Sequence, residues 1–371
     1  MPQKVKARRA ATEAANRCRP QAMSSWLEGV FESAGLSRSD SEAVAKNLTE
    51  AEERGIRSHG LILVPVYVER IRSGGIRGRY TMTVVREHGA TLLLDGDGGP
   101  GQSLAFRATE LAIAGARKLG SFYVGLRNGN HVGMLASYGL RAAEAGLACI
   151  VQTNSGPSLC AMRGRKRLLG NNALCFAAPC GTEPLVIDMA TGMVACGKIR
   201  IAGLSGEMLP DPWILDAQGN PSRKPADLDA GGCVRPMGEH KGYALAVMID
   251  ILSALMAGGL PSLSVHNQRC APEAPTGASQ SFHAIDPERF AGRAFLEGAI
   301  DAYRNALREA LPSDPRLPVL APGDPEIELT RIARMEGIPV AGHIVEAMDA
   351  VADDLGQPIF SDSCEKCETW Q

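Results

Sequence analysis

The spacing of apolar residues changes character along the chain. From residue 22 to 58 it is helical. Leu27, Val30, Phe31 and Ala34 repeat every three to four positions. After Ser37 or Ser39, either of which suits an N-cap, Ala43, Val44, Leu48 and Ala51 continue the rhythm in a second helix. Arg54-Gly55 ends that helix just before Ser58-His59, and a third helical stretch after Pro65 carries Tyr67, Val68 and Ile71 until Gly74-Gly75 stops it. Beyond residue 80 the period shortens. Residues 91–95 read as a strand, the glycine-rich 96–101 as a turn, and Leu104, Ala108, Leu111, Ala112 and Gly115 as the buried stripe of the next helix. Further strands are predicted at 122–126, 149–152, 173–178 and 184–188, with a helix near 134–145. A polar, Pro/Gly-rich stretch covers 203–238, and residues 238–243 open a long apolar helix that runs through Met256. Residues 259–280 read as loop, 281–285 as a strand, and 292–310 and 342–355 as helices.

This order predicts an α/β chain with helices at both ends, strands in the middle and a partly parallel sheet. The two ends are expected to pack together as one helical region. No internal repeat is visible.

Composition narrows the function. A length of 371 residues allows two domains, and 45% hydrophobic with 22% charged residues is ordinary for a soluble globular protein. A net charge of -2 and a pI near 6.4 argue against a nucleic-acid partner, leaving a small molecule as the expected ligand. No stretch approaches 18 uninterrupted apolar residues, so no membrane span is expected. Residues 1–22 are basic and polar (Lys4, Lys6, Arg8, Arg9, Arg17, Arg19), lack the apolar centre of a secretory signal, and read as a disordered extension. The 10 cysteines lie mostly in apolar runs, as Cys149, Cys175 and Cys196 do, and read as small hydrophobes in a reducing, cytoplasmic compartment. Cys364-Glu365-Lys366-Cys367 lacks the second ligand pair of a zinc site and reads as tail.

The candidate chemistry lies where predicted strands run out into polar loops, the usual place for sites in α/β folds. Loops 57–60, 127–133, 153–157, 188–198 and 238–243 bring His59, His131, Ser155, Asp188, Lys198 and Lys241. Histidine exchanges protons near neutral pH, so two such loops suggest proton-coupled chemistry, although a single His beside Gly is more often a turn residue. The loop 96–101 is no dinucleotide fingerprint, because Pro100 lacks the N–H a phosphate would need, and no Walker lysine follows. Glu239-His240-Lys241-Gly242 opens a helix and suits an anion as well as it suits a plain solvated cap.

These pieces together resemble the malate/L-lactate dehydrogenase family of the second, non-Rossmann type. The resemblance rests on Arg54-Gly55 with Ser58-His59-Gly60, Arg127-Asn128 with Asn130-His131-Val132-Gly133, and Thr153-Asn154-Ser155. It continues through Leu169-Gly170-Asn171-Asn172, Asp188-Met189-Ala190-Thr191 with Gly197-Lys198-Ile199-Arg200, His240-Lys241-Gly242-Tyr243, and Pro322-Gly323-Asp324-Pro325-Glu326, in order from about residue 24 to 356. It implies a homodimer with a helical substrate domain from 23–80 plus 290–371 and a nicotinamide-binding α/β domain over 81–289. It also implies NAD or NADP as cofactor and a small 2-hydroxy or 2-oxo acid as substrate, with cyclic imino acids (piperideine-2-carboxylate or pyrroline-2-carboxylate) as the alternative on the same scaffold. Carried over by position, His59 resembles the proton donor and acceptor with Ser58 beside it, and His131 resembles a second imidazole with the same role in some members. Asp188 is implied to orient an imidazole or face the nicotinamide. Ser155, Asp188, Met189, Ala190, Lys198, His240, Lys241, Pro322, Gly323 and Asp324 resemble cofactor contacts.

One position departs. Many members carry an Arg four residues after the first His, suited to a bidentate grip on a carboxylate, and here that residue is Leu63. The carboxylate is then expected on Arg57, Arg127 or Lys198, or the substrate is bulkier and more apolar. Two further readings compete. A cofactor-binding protein without activity is disfavoured by the presence of His59, His131 and Lys241. A metal hydrolase built from His59, His131, Asp188 and His240 lacks any tight ligand spacing.

Overall fold

The computed structural model describes residues 16–181 and 183–365. Asn16–Cys18 forms a strand (β1), and helix α1 (Pro20–Ala34) starts at Pro20. Residues 16–22 therefore belong to the fold and not to an extension. β1 is the central strand of a three-stranded antiparallel sheet between Ile338–Val340 and Cys364–Glu365. Its polar composition hid it, because three residues are too few for an alternation and its partners come from the far end of the chain. Residues 1–15 of the expected extension lie outside the described residues, as does Cys367 of the terminal Cys-x-x-Cys. Helix α2 (Arg38–Glu53) is capped by Ser37, whose hydroxyl accepts the Asp40 N–H at 3.2 Å, and α3 spans Val64–Arg72.

The middle of the chain supplies β2 (Thr83–His88), β3 (Thr91–Asp95), α4 (Gly101–Leu119), β4 (Ser121–Gly129), α5 (Ala136–Glu144) and β5 (Ala148–Thr153). The short β6 (Leu159–Cys160) and β7 (Arg167–Leu169) precede β8 (Ala173–Ala178), β9 (Leu185–Ala190) and α6 (Cys196–Leu204). Then come β10 (Ile214–Leu215), β11 (Pro221–Ser222), α7 (Ala226–Asp229), β12 (Cys233–Val234), α8 (His240–Ser253) and β13 (Ala278–Ile285). The chain closes with α9 (Arg293–Arg308), α10 (Asp324–Glu336), β14 (Ile338–Val340), α11 (Gly342–Leu355) and β15 (Cys364–Glu365).

Seven strands form the main sheet, in the order β2-β3-β4-β13-β5-β8-β9. The expected partly parallel sheet comes down to a single parallel pair, β3 with β4, joined through α4. All other neighbours run antiparallel, because β13 returns from late in the chain to lie between β4 and β5. β2 escaped the sequence reading: all six of its residues are exposed, so it shows no apolar alternation.

Three cores result. The first lies under α4 and α5, where Leu104, Ala108, Val124, Tyr138 and Phe282 are buried together. Gly115 lets α4 close onto the sheet, since a Cβ there would lie 2.2 Å from the Phe122 ring. The second unites the chain ends, with Phe31, Leu48 and Tyr67 against Met348 and Phe360. The third was not expected. Within 203–238, strands of two residues join β6 and β7 in a five-stranded sheet over Ile199, Leu209, Ile214 and Val234. Strands this short carry no period to detect.

α9 is tied both to residues 180–183 and, through Arg308, to Asp324 at the start of α10. The Arg304 guanidinium donates to the Glu183 carbonyl at 3.1 and 3.2 Å, and the Cys180 thiol donates to Asp301 at 2.9 Å. Among the described residues one segment, His240–Ala257, is long and apolar enough by composition to cross a membrane. Here it packs on the main sheet, and its buried Asp250 accepts the Asn154 side-chain amide at 3.0 Å and the Ser262 hydroxyl at 3.0 Å.

Candidate functional site

A cavity of about 930 Å³ opens where the 57–63 and 131–136 loops meet the ends of β5 and β9, the small sheet and the 265–269 loop. Its floor is built from the backbone upward. Residues Arg57–His59 and Leu61–Leu63 form two 3-10 turns around Gly60. The buried Glu52 carboxylate of α2 accepts the Leu61 N–H at 2.8 Å. A Cβ on Gly60 would fall 2.1 Å from that carboxylate, and one on Gly197 would fall 2.7 Å from Ser58 Cβ. Glycine at these places lets the loop press between α2 and α6. Burial pushes Glu52 up to about 7, against the opposing pull of the Leu61 N–H and Arg57.

This loop brings His59 over His131, with ring centroids 5.7 Å apart and planes inclined by 17°. Their supports differ. The Ser58 hydroxyl meets His59 Nδ1 at 2.9 Å. His131 Nδ1 accepts the Gly133 N–H at 3.3 Å and lies 2.6 Å from the Tyr67 hydroxyl, which accepts from Gln102 Nε2 at 3.0 Å. With Nδ1 receiving hydrogen bonds, the Tyr67 proton points to the ring and the His131 proton sits on Nε2. Burial, then the Lys198 charge, lowers His59 to about 4. Burial, then His59, Arg70 and Arg269, lowers His131 to about 3. Both rings are therefore neutral at pH 7.

Asp188 lies at the end of β9, and its carboxylate accepts the Ala136 N–H at the start of α5 at 2.8 Å. Burial raises it to about 6, while the Ala136 N–H and Arg54 pull it down. It lines the cavity, and among the described residues its hydrogen bond goes to the start of α5 and to neither imidazole. Met189 and Ala190 beside it, Ser155 after β5, and Lys198 on α6 also face the cavity. Pro322 and Gly323 close another side, and Leu63 forms part of an apolar wall with Ile62.

Several expected residues are elsewhere. Arg127 pairs with Asp95 at 3.0 Å and does not line the cavity. Arg57 likewise stands outside the lining, near Glu52. The Asp324 carboxylate is taken by Arg308 at 2.6 Å and by the Ala321 N–H at 2.8 Å, so it braces the turn before α10. His240 and Lys241 are exposed at the start of α8, outside the lining. Sequence reasoning missed Tyr67, Gln102, Glu52 and Arg269. Tyr67 read as one apolar position of a helix, and only its place two turns beyond His59 could have singled it out. Among the described residues no three His, Cys, Asp or Glu side chains are grouped to hold a metal ion.

The chain matches known proteins over most of its length. The sequence profile described as malate/L-lactate dehydrogenase matches residues 18–349. A malate dehydrogenase of Pyrococcus abyssi is 34% identical over 340 residues, covering 90% of this chain and 93% of the relative. Hydroxycarboxylate dehydrogenase B of Escherichia coli (strain K12) is 31% identical over 353 residues, covering 93% and 96%. A Delta(1)-pyrroline-2-carboxylate/Delta(1)-piperideine-2-carboxylate reductase of Pseudomonas putida is 34% identical over 238 residues, covering 64% and 70%. The solved malate dehydrogenase of Pyrococcus horikoshii OT3 superposes with a TM-score of 0.86 at 30% identity, covering 94% of this chain and 98% of that one.

Proposed function

The chain belongs to the malate/L-lactate dehydrogenase family, and from that premise we propose that it moves a hydride between NAD(P) and C2 of a small 2-hydroxy or 2-oxo acid, with His59 exchanging the proton. The observation that carries the reading is the stacked, neutral His59–His131 pair facing the large cavity. In hydroxy-acid oxidation His59 accepts the hydroxyl proton through its ring nitrogen turned away from Ser58. His131, whose proton is held on Nε2 by Tyr67 and Gly133, donates a hydrogen bond to the same oxygen. In the reverse direction protonated His59 returns the proton.

The cavity suits a dinucleotide. Its volume is near the top of the usual range of about 300–1,000 Å³ for ligand pockets. The Ser158 hydroxyl in its wall is buried with no hydrogen-bond partner among the described residues. α6 begins at the cavity without a side-chain cap, so its free N–H groups, with Lys198 in its first turn, favour an anion. Ser155, Met189, Ala190, Lys198, Pro322 and Gly323 are the residues proposed to hold it. A bound nicotinamide supplies the hydride donor or acceptor. The division into a helical substrate-facing part and an α/β cofactor part belongs to the same proposal.

A cyclic imino acid reductase is the second reading, favoured by the Pseudomonas putida relative and by the apolar wall at Leu63. A panel of 2-oxo acids, piperideine-2-carboxylate and pyrroline-2-carboxylate, read as NADH and NADPH consumption, separates the two. Turnover of oxo acids supports the first reading, preference for cyclic imines the second, and silence on the whole panel overturns both. A homodimer is proposed as well. Met248, Ile251, Leu255 and Met256 form an exposed apolar stripe along α8 and the turn after it, which a second copy would cover. A monomer by light scattering would contradict that.

A further inference from the structure

Resting on the reading of the cavity as a 2-oxo or 2-hydroxy acid site, we infer that Arg269 is the residue that grips the substrate carboxylate. That group is one bond from C2, so its cation must lie close to the imidazole pair. The wall at Ile62 and Leu63 offers no charge. Arg167 is held by the Gly232 carbonyl at 2.6 Å and by Leu228. Arg200 lies 3.8 Å from Asp229, and Arg54, whose Nε has no partner among the described residues, sends its charge to Asp188 and Cys175 and not to the imidazoles. Arg70 is fully buried behind the rings, where its Nη2 donates to Asn130, Gly75 and Ala274, and it does not reach the cavity.

Arg269 differs from these in combining an unengaged guanidinium with a charge that acts on the imidazole pair. It lines the cavity, its charge acts on His131 and Tyr67, and among the described residues its guanidinium has no hydrogen-bond or ion-pair partner. Its backbone is placed by a built turn. Asn267 Oδ1 accepts the Arg269 N–H at 2.9 Å, and the Asn267 carbonyl accepts from Cys270 and Ala271 at 3.1 and 3.2 Å. The base of the loop is tied to the residue before His131: the Thr276 N–H donates to Asn130 Oδ1 at 3.0 Å, and the His266 N–H donates to the Thr276 carbonyl at 3.0 Å. The backbone of Arg269 and the loop that carries His131 are thus tied to one frame, and a planar fork is the shape that holds a carboxylate with two hydrogen bonds. Lys198 lines the cavity and its charge acts on His59, but it is a point charge without that geometry.

The test compares the wild-type protein with Arg269→Ala and Arg269→Lys. Kinetics with a 2-oxo acid and its methyl ester are read beside oxamate binding to the NAD(P)H complex and NAD(P)H binding alone, both by fluorescence. Arg269→Ala should raise the KM for the acid and the Kd for oxamate about 30-fold, a loss expected when one member of a charged hydrogen-bonded pair is removed. It should also erase the preference for acid over ester and leave NAD(P)H binding within about 2-fold. Arg269→Lys should recover part of the loss. Unchanged oxamate affinity in Arg269→Ala would overturn the assignment, as would a loss confined to NAD(P)H, which would give Arg269 to a cofactor phosphate. If the wild type reduces none of the acids, the functional reading falls, while the oxamate comparison still decides the place of Arg269.

Discussion

His59 and His131 are stacked, half-buried and neutral, yet the protein holds them differently. His131 is fixed from behind by Tyr67, Gln102 and the Gly133 N–H, which leaves its proton on the face toward the cavity. Among the described residues the His59 ring is hydrogen-bonded only to Ser58, and its loop is fixed from below by Glu52. A ring held in one tautomer serves as a hydrogen-bond donor. A ring with a hydroxyl on one nitrogen and nothing on the other can take and return a proton. This asymmetry, and not the mere presence of two histidines, is the basis on which the two roles are proposed.

Removing the freer ring should have the largest effect. His59→Ala is expected to lower kcat by about 10²–10⁴-fold, the usual range for general acid–base catalysis, with NAD(P)H affinity largely intact by fluorescence titration. Near-normal turnover would sink the assignment. Removing the support beneath the ring comes next. Glu52→Ala should cost about 1–3 kcal/mol of stability in denaturant unfolding, because the buried Leu61 N–H loses its acceptor, and should lower kcat as the loop loosens. Glu52→Gln keeps an acceptor and should stay close to wild type. If the two variants behave alike, the loop is not held by that bond. Loosening the tighter ring should do less. Tyr67→Phe deletes the hydroxyl between Gln102 and His131 and is expected to lower kcat about 10-fold, from a net hydrogen-bond energy of about 1 kcal/mol plus the stranded amide. An unchanged kcat would mean that the His131 tautomer does not matter.

Much of this was legible in the sequence. The terminal helix 342–355 and the strand 91–95 were read at their observed limits because each has a long partner face to bury. The histidine loops stood out because polar residues interrupt apolar runs there. Other features depended on distant partners. β1 needs β14 and β15, the small sheet is made of strands too short to alternate, and the antiparallel order rests on where β13 returns. At the site, Arg127 and Asp324 carried the right charges but are engaged by Asp95 and Arg308, and only coordinates reveal such pairings. Arg269 lay in a segment that read as plain loop.

The smallest expected effect concerns stability and pH. Both imidazoles titrate lower in the folded protein than the ordinary value of about 6.5, so below that pH the unfolded chain binds protons that the folded one does not. Their contribution is complete above about 6.5 and is lost as pH falls toward about 4 and about 3. Glu52 and Asp188, raised to about 7 and about 6, act in the opposite sense, losing stability as pH rises through that range. His131→Asn should therefore flatten the acid decline of Tm between pH 6.5 and 4 relative to wild type. A parallel decline would show that His131 does not carry it.

The most direct test of the divided roles is the pH dependence of kcat/KM for hydroxy-acid oxidation in His59→Asn and His131→Asn. If His59 is the base, the acid limb disappears from the profile of His59→Asn and persists, on a lowered rate, in His131→Asn. The reverse pattern, with the limb kept without His59 and lost without His131, would contradict the account.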